Sequence, residues 1–158
     1  MIVLKTNREL ALMREACIIS AGALKLAGEA VEPGVTTAEI DKIAYDYIIK
    51  CGAKPNFLNY NGYPATACIS INDEVIHGIP SKKRVIEEGD IVSIDLGAVL
   101  EGFNGDNAAT FAAGAISSEA KRLCDTTKES LFLGIEKAVA GGRIGDIGYA
   151  VQHHCESR

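Results

Sequence analysis

The chain has 158 residues, 47% of them hydrophobic, which is enough to bury one domain-sized core. Its formal net charge of −5 and pI near 5.2 leave no basic stripe to neutralise phosphates, which excludes a nucleic-acid-specific surface. Only Lys82, Lys83 and Arg84 cluster positive charge, and they read as a solvated loop. Five cysteines, at 17, 51, 68, 124 and 155, are odd in number and lack close metal-ligand spacing. They fit a reducing cytoplasm better than a disulfide framework. No leader-like segment opens the chain and no apolar run reaches the length of a membrane span, so a cytoplasmic protein without membrane contact is expected.

Thr6 and Glu9 form a capping box, in which each side chain satisfies a free backbone N–H at the other. Leu10, Met13, Cys17, Ile18, Ala21, Leu24 and Ala27 follow at helical spacing and predict the buried stripe of a first helix, stopped by Pro33-Gly34. A second box, Thr36 with Glu39, opens a helix whose stripe is Ile40, Ile43, Ala44, Tyr47 and Ile48 and whose end is marked by Gly52. Residues 67–71 then predict a strand, Asn72-Asp73 a turn and Glu74 to His77 a return strand, with Gly78-Ile79-Pro80 as a tight exit. Glu88-Gly89-Asp90 turns the chain into a hairpin. A third helix is expected from Ser118 to Ala140, ending at Gly141-Gly142, and a fourth from Asp146 that is still running at Arg158. An internal repeat underlies this order. Met13 to Cys17 echoes Lys121 to Asp125, and Glu29 to Gly34 echoes Lys137 to Gly142, at a single offset.

The hairpin carries the chemistry. Along its first strand Val92, Ile94, Leu96 and Ala98 fall on one face, with Ser93, Asp95 and Gly97 on the other. Its return strand, Asp106 to Phe111, shares a face among Asp106, Ala108 and Thr110. A reversal near Glu101-Gly102 brings Asp95 and Asp106 close to cross-strand register. Like charges so placed are destabilising unless a shared proton or a divalent cation lies between them, and hard cations prefer carboxylate oxygens. Two solvated hairpin aspartates are the bland alternative. For His77 the bland alternative is a surface histidine beside a turn.

The run Gly62-Tyr63-Pro64-Ala65-Thr66-Ala67-Cys68-Ile69-Ser70-Ile71-Asn72-Asp73-Glu74-Val75-Ile76-His77-Gly78-Ile79-Pro80 closely resembles the type I methionine aminopeptidases. Gly89 to Asp95 and Gly102-Phe103-Asn104-Gly105-Asp106 resemble the same family at the expected positions. The resemblance implies an α/β (α+β) pita-bread fold, of which residues 1–158 are the first half plus the opening helices of the second: one catalytic domain, truncated. It implies Asp95 as the bidentate metal ligand, Asp106 as the bridging one, and His77 as the catalytic histidine that contacts substrate. Phe57, Tyr60, Tyr63 and Cys68 would surround the methionine side chain. The implied cofactors are two divalent metal ions (Co, Mn, Fe or Zn). The implied substrates are N-termini of nascent polypeptides that begin with Met and a small second residue, reached in association with the ribosome.

Asn104 stands where the family commonly has histidine, outside the expected metal shell. The family completes its site with one histidine and two glutamates from segments beyond position 158. His153 and His154 precede that place and read as ordinary helical positions, so little activity is expected of these 158 residues alone. Two further readings share the fold: a non-catalytic binding module, and another pita-bread hydrolase such as a proline-directed peptidase. Retention of His77, Asp95 and Asp106 together disfavours the first, and the Asn72 to Pro80 run disfavours the second.

Overall fold

The computed structural model describes residues 3–158. They form two compact units that divide between Ala115 and Ile116.

In the first unit, α1 (Asn7–Glu29) and α2 (Thr37–Lys50) both open on the expected capping boxes, Thr6 with Glu9 and Thr36 with Glu39. A mixed-length antiparallel sheet follows: β1 (Lys54–Pro55), β2 (Ala67–Ile71), β3 (Ile91–Leu100) and β4 (Phe103–Ala112). The long strand β3 organises it. Residues 92–96 pair with β2 and residues 98–99 with β1 along one edge, while β4 pairs along the other. The β3–β4 turn is the predicted Glu101-Gly102, both residues at positive φ (49° and 84°), as a two-residue hairpin of the right twist requires.

The core lies on one face of this sheet. Val92, Ile94, Leu96 and Ala98 are fully buried with Ala67 and Ile69, and Ile40, Ala44 and Ile48 of α2 join them. The predicted stripe of α2 therefore holds. That of α1 holds only at Leu24 and Ala27. Its buried residues are Ala16, Ser20, Ala23, Leu24, Ala27 and Gly28, whereas Leu10 and Ile18 are exposed, as are Cys17 and Ala21. The reason is close approach to β4. A side chain at Gly105 would run into the Ala16 backbone, and one at Gly28 into the Phe111 ring. Small residues, not large ones, allow the helix to lie there. Gly105→Ala is accordingly expected to destabilise the chain by about 1–3 kcal/mol, read as a lower denaturation midpoint in urea at unchanged slope.

The expected return strand at Glu74 to His77 is absent. After the Asn72-Asp73 turn the chain is irregular, and His77 takes a left-handed conformation (φ 61°) that no strand accommodates. The outer edge of β2 is instead met by single bonds: Ile69 N–H donates to the Gly78 carbonyl at 2.8 Å and Gly78 N–H to Ser70 Oγ at 3.1 Å.

The second unit is a helical hairpin of α3 (Ser118–Glu136) and α4 (Ile144–Glu156). Its first helix ends before the predicted Ala140, because the chain turns from Lys137 and reaches positive φ at Gly141. Its second starts earlier than Asp146, whose carboxylate accepts from Arg143 N–H at 2.9 Å, and ends at Glu156 with Ser157 as its cap. His153 and His154 lie on α4, as expected, with His154 hydrogen-bonded to Glu129 of α3 at 3.0 Å. The α1–α2 boundaries, carried forward by the Gly34-to-Gly142 spacing, land within one residue of the end of α3 and the start of α4. Among the described residues no helix is long and apolar enough to cross a membrane.

Candidate metal centre and substrate cavity

Strand alternation sends Cys68, Ser70, Ser93, Asp95, Asp106 and Thr110 to the sheet face opposite the core. Ser93 and Thr110 face each other across β3–β4 with their hydroxyls 2.9 Å apart, which fixes the register on this face. Asp95 then stands opposite Ala108 and Asp106 opposite Gly97, so the two carboxylates are diagonal neighbours rather than directly opposed. Diagonal positions on an antiparallel pair remain within reach of each other. Gly97 leaves the space between them free of a side chain, and Asn56 packs over it: a Cβ at Gly97 would come within 2.9 Å of the Asn56 Cβ.

The electrostatics report this closeness. Burial holds the Asp95 carboxyl above its usual range, the Asp106 charge and a hydrogen bond to Asp106 push it further the same way, and His77 partly offsets them. Asp95 is thus harder to ionise than a solvated aspartate, and a positive partner beside it would ease that.

On the other edge of β3, Cys68 pairs with Asp95. Burial raises its thiol, against a hydrogen bond with Tyr63 that acts in the opposite sense, while the charges of Asp95, Asp106 and Asp41 raise it further. It therefore presents a neutral, soft sulfur rather than a thiolate. The Tyr63 hydroxyl donates to the carbonyls of Ala67 and Gly78, at 3.0 and 3.2 Å, and burial pushes its own acidity well out of the physiological range. Tyr63 is a hydrogen-bonding strut as well as an apolar wall.

These residues line one cavity of about 840 Å³. Phe57, Tyr60, Tyr63 and Cys68 form its apolar side, His77 with Ile79 a second, and Asp95 with Asp106 lie on its sheet side. The fold thus gathers all seven residues singled out in the sequence. It adds Asn56, Asn61 and Asn104, which also border the cavity. Asn104 shares the face of Asp106 because the two are separated by one residue of β4. No periodicity or motif in the sequence distinguishes Asn56 or Asn61; both sit in the irregular stretch between β1 and β2.

The donor set suits a hard divalent cation, being two carboxylates beside an open volume. It is also sparse. Among the described residues no group of three or more His, Cys, Asp and Glu side chains is arranged to hold a metal ion.

The sequence profile of metallopeptidase family M24 matches residues 11–158. A methionine aminopeptidase of Clostridium acetobutylicum is 52% identical over 157 residues, covering 99% of this chain and 63% of that protein. The crystal structure of a methionine aminopeptidase from Rickettsia prowazekii superposes with a TM-score of 0.96 at 37% identity, over 99% of this chain and 63% of that one. A prolidase from Pyrococcus furiosus shares the fold alone, with a TM-score of 0.84 at 23% identity and 44% of its length covered. The chain spans about 63% of the length of the methionine aminopeptidases that it matches. A profile matched over nearly the whole chain, a pita-bread superposition and identities near one half leave one assignment: the protein belongs to metallopeptidase family M24 and aligns there with the methionine aminopeptidases.

Proposed function

We propose that the protein acts as a metal-dependent aminopeptidase that removes the initiator methionine from new polypeptides with a small second residue. The observation that carries this reading is the diagonal Asp95–Asp106 pair beside His77 in a cavity that Phe57, Tyr60, Tyr63 and Cys68 also line. Asp95 and Asp106 would hold two divalent ions, drawn from manganese, iron, cobalt and zinc. Such ions supply Lewis acidity toward water and toward a peptide carbonyl when bound.

The chain's own groups serve the rest of the reaction. Phe57, Tyr60, Tyr63 and Cys68 would offer an unbranched thioether aromatic and sulfur contacts, which favours methionine over charged side chains. His77 is the group positioned to donate a hydrogen bond to the scissile carbonyl as negative charge develops on its oxygen. Residues 1–158 are read as one catalytic domain's share of such an enzyme, acting in the cytoplasm on chains emerging from the ribosome.

A second reading is favoured by the sparse donor set: as these 158 residues stand, a module that binds metal and peptide without turnover. One experiment addresses both. The purified chain is titrated with Mn²⁺ and then with Met-Ala-Ser or Ala-Ala-Ser, while its amide and aromatic NMR signals are followed. Expected is paramagnetic broadening centred on Asp95 and Asp106 and, in a parallel sample loaded with diamagnetic Zn²⁺, shifts at Phe57, Tyr60 and Cys68 with the Met peptide only. Hydrolysis should be slight, and turnover matching that of the longer relatives overturns the second reading. Broadening spread over unrelated surface carboxylates, with Asp95 and Asp106 spared, overturns the first.

A further inference from the structure

We propose that Arg84 is a positioning residue for His77: its guanidinium closes the Glu74–Ile79 loop onto β2 and so holds the imidazole at the cavity. The inference rests on the role given to His77 above, but its geometry is independent of any metal.

Gly78 is tied to Ile69, Ser70 and Tyr63, and Arg84 supplies the side-chain hold on the loop to either side of it. Val75, Ile76 and Ile79 are 87%, 66% and 53% exposed, so no apolar side chain anchors the segment. At its centre His77 keeps a left-handed backbone (φ 61°), which a residue with a side chain adopts only when its surroundings impose it. What surrounds it is a polar fork. Arg84 Nη1 donates to the Ile79 carbonyl at 3.2 Å and to the Ile69 carbonyl at 3.3 Å, while Nη2 pairs with Glu74. Glu74 lies three residues before His77 and Ile79 two residues after it, so one planar group spans the loop and ties it to a core strand. Glu74 in turn accepts from Ile71 N–H at 3.2 Å.

Both charged side chains are about two-thirds shielded, at 29% and 38% exposure, which makes the pair stronger than an ordinary surface bridge. Gly78 completes the seat, because a side chain there would collide with the Ile69 carbonyl. A lysine at position 84 keeps the charge but lacks the fork needed to meet Glu74 and two carbonyls at once.

The test uses the whole 158-residue chain, isotope-labelled, as wild type, Arg84→Met and Arg84→Lys. Readouts are the backbone couplings and shifts of His77, amide exchange at Ile71, and Mn²⁺ broadening of the His77 ring, with Ile94 exchange as the control for an intact sheet. In Arg84→Met the left-handed signature of His77 should average out and Ile71 exchange should quicken by about tenfold relative to Ile94. The Mn²⁺ broadening of the ring should also weaken relative to that of the Asp95 and Asp106 amides. Arg84→Lys should fall between.

An unchanged His77 signature in Arg84→Met, with Ile94 protected, overturns the proposal. Should Arg84→Met not fold, an unchanged signature in Arg84→Lys does the same. If Mn²⁺ leaves Asp95 and Asp106 sharp in the wild type, the metal reading fails, and the His77 backbone signature still decides the part played by Arg84.

Discussion

Replacing Asp106 by asparagine is expected to weaken Mn²⁺ binding by about a hundredfold or more while making the metal-free chain more stable near neutral pH. The two effects have one source. A unit charge about 4 Å from a cation is worth about 4 kcal/mol per unit charge at an effective dielectric near 20, so losing one of two carboxylates is severe for the ion. Without the ion the same charge is a burden, because it pushes the Asp95 carboxyl above its usual range. A carboxyl raised on folding contributes stability below the ordinary aspartate range, near about pH 4, and that contribution is lost as pH rises through the raised value. The wild-type chain should therefore lose melting temperature across that window more steeply than Asp106→Asn does. Burial alone still raises Asp95 in the variant, so the slope should shrink without vanishing. Melting curves from pH 4 to 8 with and without Mn²⁺ give the answer. Equal slopes in the two proteins would remove the case for a coupled pair.

The largest expected loss of stability comes from a residue outside the cavity. The Asp41 carboxylate, on α2, accepts hydrogen bonds from the backbone N–H groups of Thr66 and Ala67, at 2.9 and 2.8 Å. Those two residues are 1% and 0% exposed, so water replaces the half-buried carboxylate poorly. Burial raises Asp41 despite both bonds, which marks the site as dry enough for each bond to count. Asp41→Ala strands two buried donors at the head of β2, and a cost of about 2–4 kcal/mol follows. Asp41→Asn keeps an acceptor oxygen and should cost less. The comparison by urea denaturation is direct, and near-equal stability of Asp41→Ala and wild type would refute the anchoring role. Because β2 carries Cys68, loosening its start should also broaden the Cys68 and Tyr63 signals.

Asp41 also shows where sequence reading runs out. The α2 stripe of Ile40, Ala44 and Ile48 puts residue 41 beside the buried face, where a carboxylate is indistinguishable from any solvated helical acid. Its partners, Thr66 and Ala67, are 25 and 26 residues away and are recognisable only once β2 is docked. The α1 stripe was right only at Leu24 and Ala27 for a related reason. Periodicity located the helix but not which of its faces was flat enough to lie against Gly105, since that depends on the curvature of a strand much later in the chain. The missing return strand after Asn72 is similar: alternation over Glu74 to His77 could not reveal that Arg84 would capture Glu74 and Ile79 first.

What local interactions decide was legible before any folding. Both capping boxes, the α2 stripe, the Glu101-Gly102 reversal and the inward face of β3 depend on residues a few positions apart, and each stands as read. The spacing of Asp95 and Asp106 within one hairpin belongs to the same class, because a tight turn fixes the register of its strands. The diagonal offset of that pair follows from the same turn, whereas the arrival of His77 from a loop and the closing of one cavity by Phe57, Tyr60, Tyr63 and Cys68 were decided by tertiary structure alone. They require β2 and its flanking loops to be pinned to β3 by contacts that carry no signature in the linear chain, and such contacts acquire meaning only when distant backbone groups are brought out of water together.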